Sequence, residues 1–369
     1  MFLDQEETVH QRPYIQIENG VLKKYIVDES GIVNIPDNVE TIAAGVFSWA
    51  DMPAEQFDDW ESENDQPIEK IHIPASVKEI EPGAFLGTFY LQDLIIDPQC
   101  PAAEMIDGIV FSRDKRRIIF ATRNMQDLPE YRLPATVKVI DDYAFMGRFL
   151  ENLIIPPSVE VIGEGAFAYC GFKSITIPNS IKHVGEGVFA GCHLGYDQVK
   201  ICKNNPVLKK DEFGLYTKNG ELLINVFCRA DGYVEIPAGV RAIDGNAFSG
   251  VRPKKVVIPE GVQVLRDNLF YWNSRLECVV LPDSLIGIGE NAFIGCENLK
   301  AVEMSANLEE IHPCAFQWCE NLETIELPDT LKFIGEDAFA NCDKLVIHAP
   351  TGSYAIAYAR KNGIAYKEI

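Results

Sequence analysis

Ile175-Thr176-Ile177-Pro178-Asn179-Ser180-Ile181-Lys182-His183-Val184-Gly185-Glu186-Gly187-Val188-Phe189-Ala190-Gly191-Cys192 decides the fold. It opens on an apolar–variable–apolar triplet, the period of a short strand with one buried face. Proline ends that strand, because it has no N–H to give the ladder. Two aliphatics, Ile181 and Val184, then follow at three-residue spacing before the phenylalanine. Such spacing suits a tight turn or a short helical segment whose inner side faces a core.

The unit recurs along the whole chain. Phe47, Phe85, Phe145, Phe167, Phe189, Phe248, Phe270, Phe293, Phe316 and Phe339 occupy the same place, most often after alanine. Their uninterrupted gaps are 22 or 23 residues. Five and eight residues before each stands an aliphatic, and eleven before stands proline, with Ser305 the exception. A single coil of this kind buries too few side chains to offset the entropy of ordering it. The coils must therefore stack, pairing their triplets as a parallel sheet with strands about 4.8 Å apart.

Two gaps are near 60 residues, and each holds extra material. Ile106–Phe120 and Glu212–Ile224 read as strand–turn–strand, the second with an Asn219-Gly220 turn. Ile17–Ile26 repeats the theme at the N-terminus around Asn19-Gly20. The expected organisation is a hairpin cap over residues 1–30 and one continuous solenoid over 31–349. Hairpin inserts fall near 105–125 and 212–230, so the coils come in blocks of two, three and five. A helical cap covers 350–369, with Ser353 as N-cap and Gly363 as stop.

The pattern Ile-x-Ile-Pro-x-x-Ile-x-x-Val-Gly-x-x-x-Phe-x-x-Cys of Ile175–Cys192 resembles the bacterial BspA-type leucine-rich-repeat proteins. The inserted hairpins and the terminal Gly352-Ser353-Tyr354-Ala355 segment are similar to that family as well. The resemblance runs over about residues 14–369. It implies a curved, right-handed leucine-rich-repeat solenoid of bacterial, gut-anaerobe type. Several such proteins sit on the cell surface and adhere to host proteins or other cells. The family brings no catalytic motif.

The 369 residues carry a net charge of −22. Phosphate backbones and anionic membranes need basic surfaces, so both are disfavoured as partners. No stretch approaches the 18–20 apolar residues of a membrane helix. The start, with acids early and no apolar run, does not read as a signal peptide, which points to the cytoplasm by default. A secreted or cell-surface location is the alternative, if a leader preceded this chain.

Candidate chemistry is sparse. Cys170, Cys192, Cys296, Cys319 and Cys342 each follow the landmark phenylalanine by three residues. They form one column whose side chains can satisfy turn backbone groups inside the coil. With no Cys-x-x-Cys and no His-Glu-x-x-His, zinc is not expected, and neither a cofactor nor an enzyme activity is expected. Two surfaces remain as candidate sites. One is an acidic contact loop within residues 51–66, marked by Phe57, Asp58, Asp59 and Trp60 beside Trp49. The other is the outward middle residue of each triplet: Arg132, Ile154, Thr176, Glu235, Val257, Val280, Glu303 and Glu326. The expected function is a monomeric, non-enzymatic protein-binding module. The alternatives are a cytosolic scaffold and, last, an enzyme with a site on loops.

Overall fold

The computed structural model describes residues 13–28, 30–47, 67–123, 133–227 and 232–369. Arg132 and the contact-loop residues Trp49, Phe57, Asp58, Asp59 and Trp60 lie outside the described residues.

Each described triplet is a short strand, and successive triplets pair in parallel. Ile32–Asn34, Lys70–Ile73 and Asp93–Ile96 form one sheet; Phe149–Ile154, Gly171–Ile177 and Val199–Ile201 form another. Tyr233–Glu235, Lys255–Val257, Cys278–Val280 and Ala301–Glu303 form a third. Thr324–Glu326, Val346–Ala349 and Ala365–Glu368 complete this front. The residues before the phenylalanine do not form helical segments. The aliphatic five positions earlier sits on a second, two-residue strand, as in Val161–Ile162 or Gly287–Ile288. These also pair in parallel, giving each coil a rear strand that the triplet pattern does not reveal. The phenylalanine itself lies in the turn that follows.

Landmark phenylalanines stack along the axis. Ring centroids are 5.1 Å apart for Phe270–Phe293, 4.9 Å for Phe293–Phe316 and 5.2 Å for Phe316–Phe339. Coils approach so closely that some positions admit no side chain. A Cβ at Gly185 would lie 2.3 Å from the backbone nitrogen of Glu164 in the coil before.

The inserts are larger than hairpins. Ala103–Ile106, Ile109–Ser112 and Arg117–Ala121 make a three-stranded antiparallel meander, as do Leu208–Lys210, Gly214–Thr217 and Leu222–Val226. The last strand of each then pairs in parallel with the rear strand of the next coil. Asp107 and Gly108 turn the first insert with φ of 49° and 77°, the left-handed pair a tight hairpin requires.

Both faces of the second and third strands of each meander are buried, which is why those strands read as near-continuous apolar runs. Ile109, Phe111 and Ile118 face the core of coils 3–5, while Val110, Ile119 and Phe120 face that of coils 1–2. Leu215 and Ile224 likewise face backward, and Tyr216 and Leu223 forward into coils 6–10. The inserts are two-sided walls between three apolar cores. At the far end helix Tyr354–Asn362 covers the last coil with Ala355, Ile356 and Ala359. Ser353 caps it by accepting from the Ile356 N–H, and Gly363 ends it with φ of 71°.

Candidate functional site

The sheet register assembles the outward row. Glu235, Val257, Val280 and Glu303 are direct cross-strand neighbours across four strands. Glu326 starts the next sheet, beside His348 and Lys367. Glu235, Glu303 and Glu326 are exposed; Val257 and Val280 are only half-buried, because flat neighbouring strands shade one another. The parallel inner row, Lys255, Cys278 and Ala301, flanks the two valines with small or aliphatic atoms. Ile154 and Thr176 pair with each other and with Lys200 on the earlier sheet, so they are not contiguous with the valine strip. Ile154 is 60% exposed.

The acid excess concentrates beside this row. Between residues 297 and 337 the only Lys or Arg side chains are Lys300 and Lys332. Both are paired, Lys300 to Glu277 at 3.6 Å and Lys332 to Glu309 at 2.8 Å. Glu303 and Glu326 therefore face solvent in a stretch where, among the described residues, acids far outnumber Lys and Arg.

The cysteine column is structural. Each Sγ donates to the landmark carbonyl one coil back: Cys170 to Phe145 at 2.9 Å, Cys192 to Phe167 at 2.9 Å, Cys296 to Phe270 at 3.2 Å. Cys319 and Cys342 repeat this on Phe293 and Phe316. All the described cysteines are free thiols. Burial pushes Cys192 up to about 12, and Cys170, Cys296 and Cys319 rise for the same reason. A thiol held protonated and out of solvent is a poor nucleophile. Cys342 differs, its thiol lowered by the hydrogen bond with Cys319. In native protein, a thiol reagent is expected to label exposed Cys202 while Cys170, Cys192, Cys296 and Cys319 react only on unfolding. Mass-spectrometric mapping that found Cys296 or Cys319 labelled under native conditions would contradict that assignment.

The same slot is filled differently in coil 7 and in coil 3, the second of which follows the first wall. Asn273 Nδ2 donates to the Val251 carbonyl at 3.1 Å, and Arg148 Nε donates to the Ala121 carbonyl at 2.7 Å.

Sequence reasoning missed a groove of about 450 Å³ that runs from Glu186 of coil 5 along coils 6 to 9 as far as His312. Arg266 reaches over Gly245 to Glu186 at 2.9 Å. Asp244 lies beneath, buried, accepting from the Gly187 and Asn246 N–H groups. Burial raises the Asp244 carboxyl above its ordinary range, outweighing those hydrogen bonds. Among the described residues no group of three or more His, Cys, Asp or Glu side chains is arranged to hold a metal. No described helix is long and apolar enough to cross a membrane.

A stack of two-stranded coils with one buried phenylalanine each is the architecture of a repeat-built surface. The chain belongs to the BspA-type leucine-rich-repeat family, which matches over residues 28–131, 61–194, 119–218 and 227–346 in six copies. No curated protein matches it. A leucine-rich-repeat protein from Bacteroides ovatus is 20% identical, with 98% of this chain and 100% of that one covered and a TM-score of 0.43. A leucine-rich cell-surface protein from Faecalibacterium prausnitzii is 19% identical over 97% and 95%, with a TM-score of 0.44. The pneumococcal vaccine antigen PcpA is 18% identical over 91% and 79%, with a TM-score of 0.42.

Proposed function

We propose that this chain is a non-enzymatic binding module, and that a protein partner docks on the outward row of coils 6–10. The observation that carries the reading is the register that sets Val257 and Val280 side by side between Glu235 and Glu303. Partly exposed valines supply apolar area at the centre, and the carboxylates form a charged rim. The complementary surface is a polypeptide segment with an aliphatic or aromatic residue between basic ones. Rim charges of one sign speed encounter with such a segment and weaken at high salt. The helix cap and the phenylalanine stack hold the row rigid, which limits the ordering cost of binding.

Val257→Asp with Val280→Asp is the test. Both positions are half-buried on the outer face, so the core beneath is untouched. Partners crosslinked to the native protein in its own cells are expected to be lost from the double variant, with the melting temperature within a few degrees of wild type. Undiminished crosslinking to the same partners would remove this face from consideration.

A further inference from the structure

The first wall leaves an incomplete stack. In coils 3, 4, 7, 8 and 9 the turn N–H groups point along the axis and donate to carbonyls of the next coil. Gly147 N–H meets Ala168 O, and Trp272 N–H meets Ile294 O. Coil 2 has no such successor, because the meander stands between it and coil 3. The Gly87 N–H, the counterpart of the Gly147 N–H, finds no backbone acceptor among the described residues. It lines a small pit together with Phe85, Thr88, Phe120, Tyr143 and Arg148.

Arg148 is only 3% exposed. Its Nε caps the Ala121 carbonyl, and its guanidinium carbon lies 5.3 Å from the Phe120 ring centre. The cap uses one of five N–H donors; among the described residues no carboxylate pairs with the rest. The charges that act on it include Arg123, a second cation, and burial lowers its pKa to about 10. A buried charge without a carboxylate is strongly unfavourable, and among the described residues Arg148 is such a charge, in a chain of net charge −22. Capping alone does not call for it, since cysteine fills the same slot in five coils.

We propose that this pit, between coil 2 and coil 3, binds one small monovalent anion of halide size, held by the Arg148 guanidinium and the Gly87 N–H. The free room is about 10 Å³, enough for about one water-sized occupant. That excludes phosphate, sulfate and the bulk of an organic acid.

Thermal unfolding of the whole chain in about 100 mM chloride, bromide, acetate or gluconate at equal ionic strength tests the site. Chloride and bromide are expected to raise the melting temperature by about 2 °C or more over gluconate, with acetate near gluconate. In Arg148→Met the difference between anions should vanish, whatever that substitution does to stability itself. Crystals of wild type soaked in bromide give a readout free of the variant: an anomalous peak is expected between Arg148 and Gly87. Equal melting in all four salts, a difference that survives in Arg148→Met, or an empty pit in the bromide map would each overturn the assignment.

Discussion

Phe293→Ala is expected to remove about 3–5 kcal/mol of stability, as large a loss as truncating any of the stacked phenylalanines of coils 6–10 should give. Phe293 is fully buried, with Phe270 and Phe316 stacked on either side at interplanar angles of 20° and 7°. Truncation leaves a cavity shared by three coils, and neither neighbour can fill it without leaving its own stack. The turn carbonyl of Phe293 also receives the Cys319 thiol, so collapse of the turn would strain the next coil's cap. In a repeat array each coil is stabilised by its two interfaces, and here both are weakened at once. Urea unfolding followed by fluorescence is expected to show a lower midpoint, with amide exchange accelerated across coils 7–9 before coils 1–5. Phe333→Ala is the control: that ring is 41% exposed on a rear strand, and its loss should cost within about 0.5 kcal/mol. A cost under about 1 kcal/mol for Phe293→Ala would show that the stack is not what holds these coils together.

The sequence makes some of these features plain and hides others for physical reasons. The front strands, the prolines, the phenylalanine column and the cysteine caps recur at fixed spacing, so each coil confirms the last. The rear strands escape because each is two residues long with a single buried member, such as Ile162, too short for any period to show. The leading strands of the walls escape because Leu208-Lys209-Lys210 has one apolar residue in three. Alternation within Ile109–Phe111 is also invisible when both faces are buried, since both cores demand apolar side chains. The groove over Asp244 joins residues as distant as Glu186 and His312, and the pit at Arg148 joins Phe85 to Arg148, each across an interruption in the stack. One signal was present for the pit: Arg148 stands in a column otherwise filled mainly by cysteine, and a break in a repeat marks a place where the neighbouring coil is missing. For the outward row the order of residues was legible, but not the shading that leaves Val257 and Val280 half-buried.

Arg117→Met is expected to cost about 3–5 kcal/mol at neutral pH, the usual effect of breaking one side of a buried ion pair. Asp141, which directly follows the rear strand Val139–Ile140, has a side chain only 1% exposed. Arg117 grips it with two hydrogen bonds, Nε to Oδ1 at 3.1 Å and Nη2 to Oδ2 at 2.6 Å. The same Nη2 donates to the Ile80 carbonyl at 3.3 Å, so the guanidinium ties coil 2 to coil 3 across the wall. Burial is the largest influence on Asp141 and lifts its carboxyl above the ordinary 3.8 even with Arg117 in place. A folded pKa above the unfolded one means that protonation favours the fold. The contribution is fully present below about 3.8 and is lost as pH rises through the folded value. Without Arg117 the hydrogen bonds and charge that restrain this rise are gone, so the folded pKa climbs further and the loss extends over a wider range. The deficit of Arg117→Met should therefore shrink as pH falls from 7 toward 4.5, as Asp141 takes up a proton. Replacing both partners, Arg117→Met with Asp141→Leu, removes the buried charge and should recover most of the stability, because apolar isosteres of a buried pair are often neutral or better. Denaturation midpoints of the two variants and wild type across that pH range decide the matter. A deficit that is independent of pH, or a double variant no more stable than the single one, would mean that Arg117 acts through Ile80 and wall packing rather than through the carboxylate.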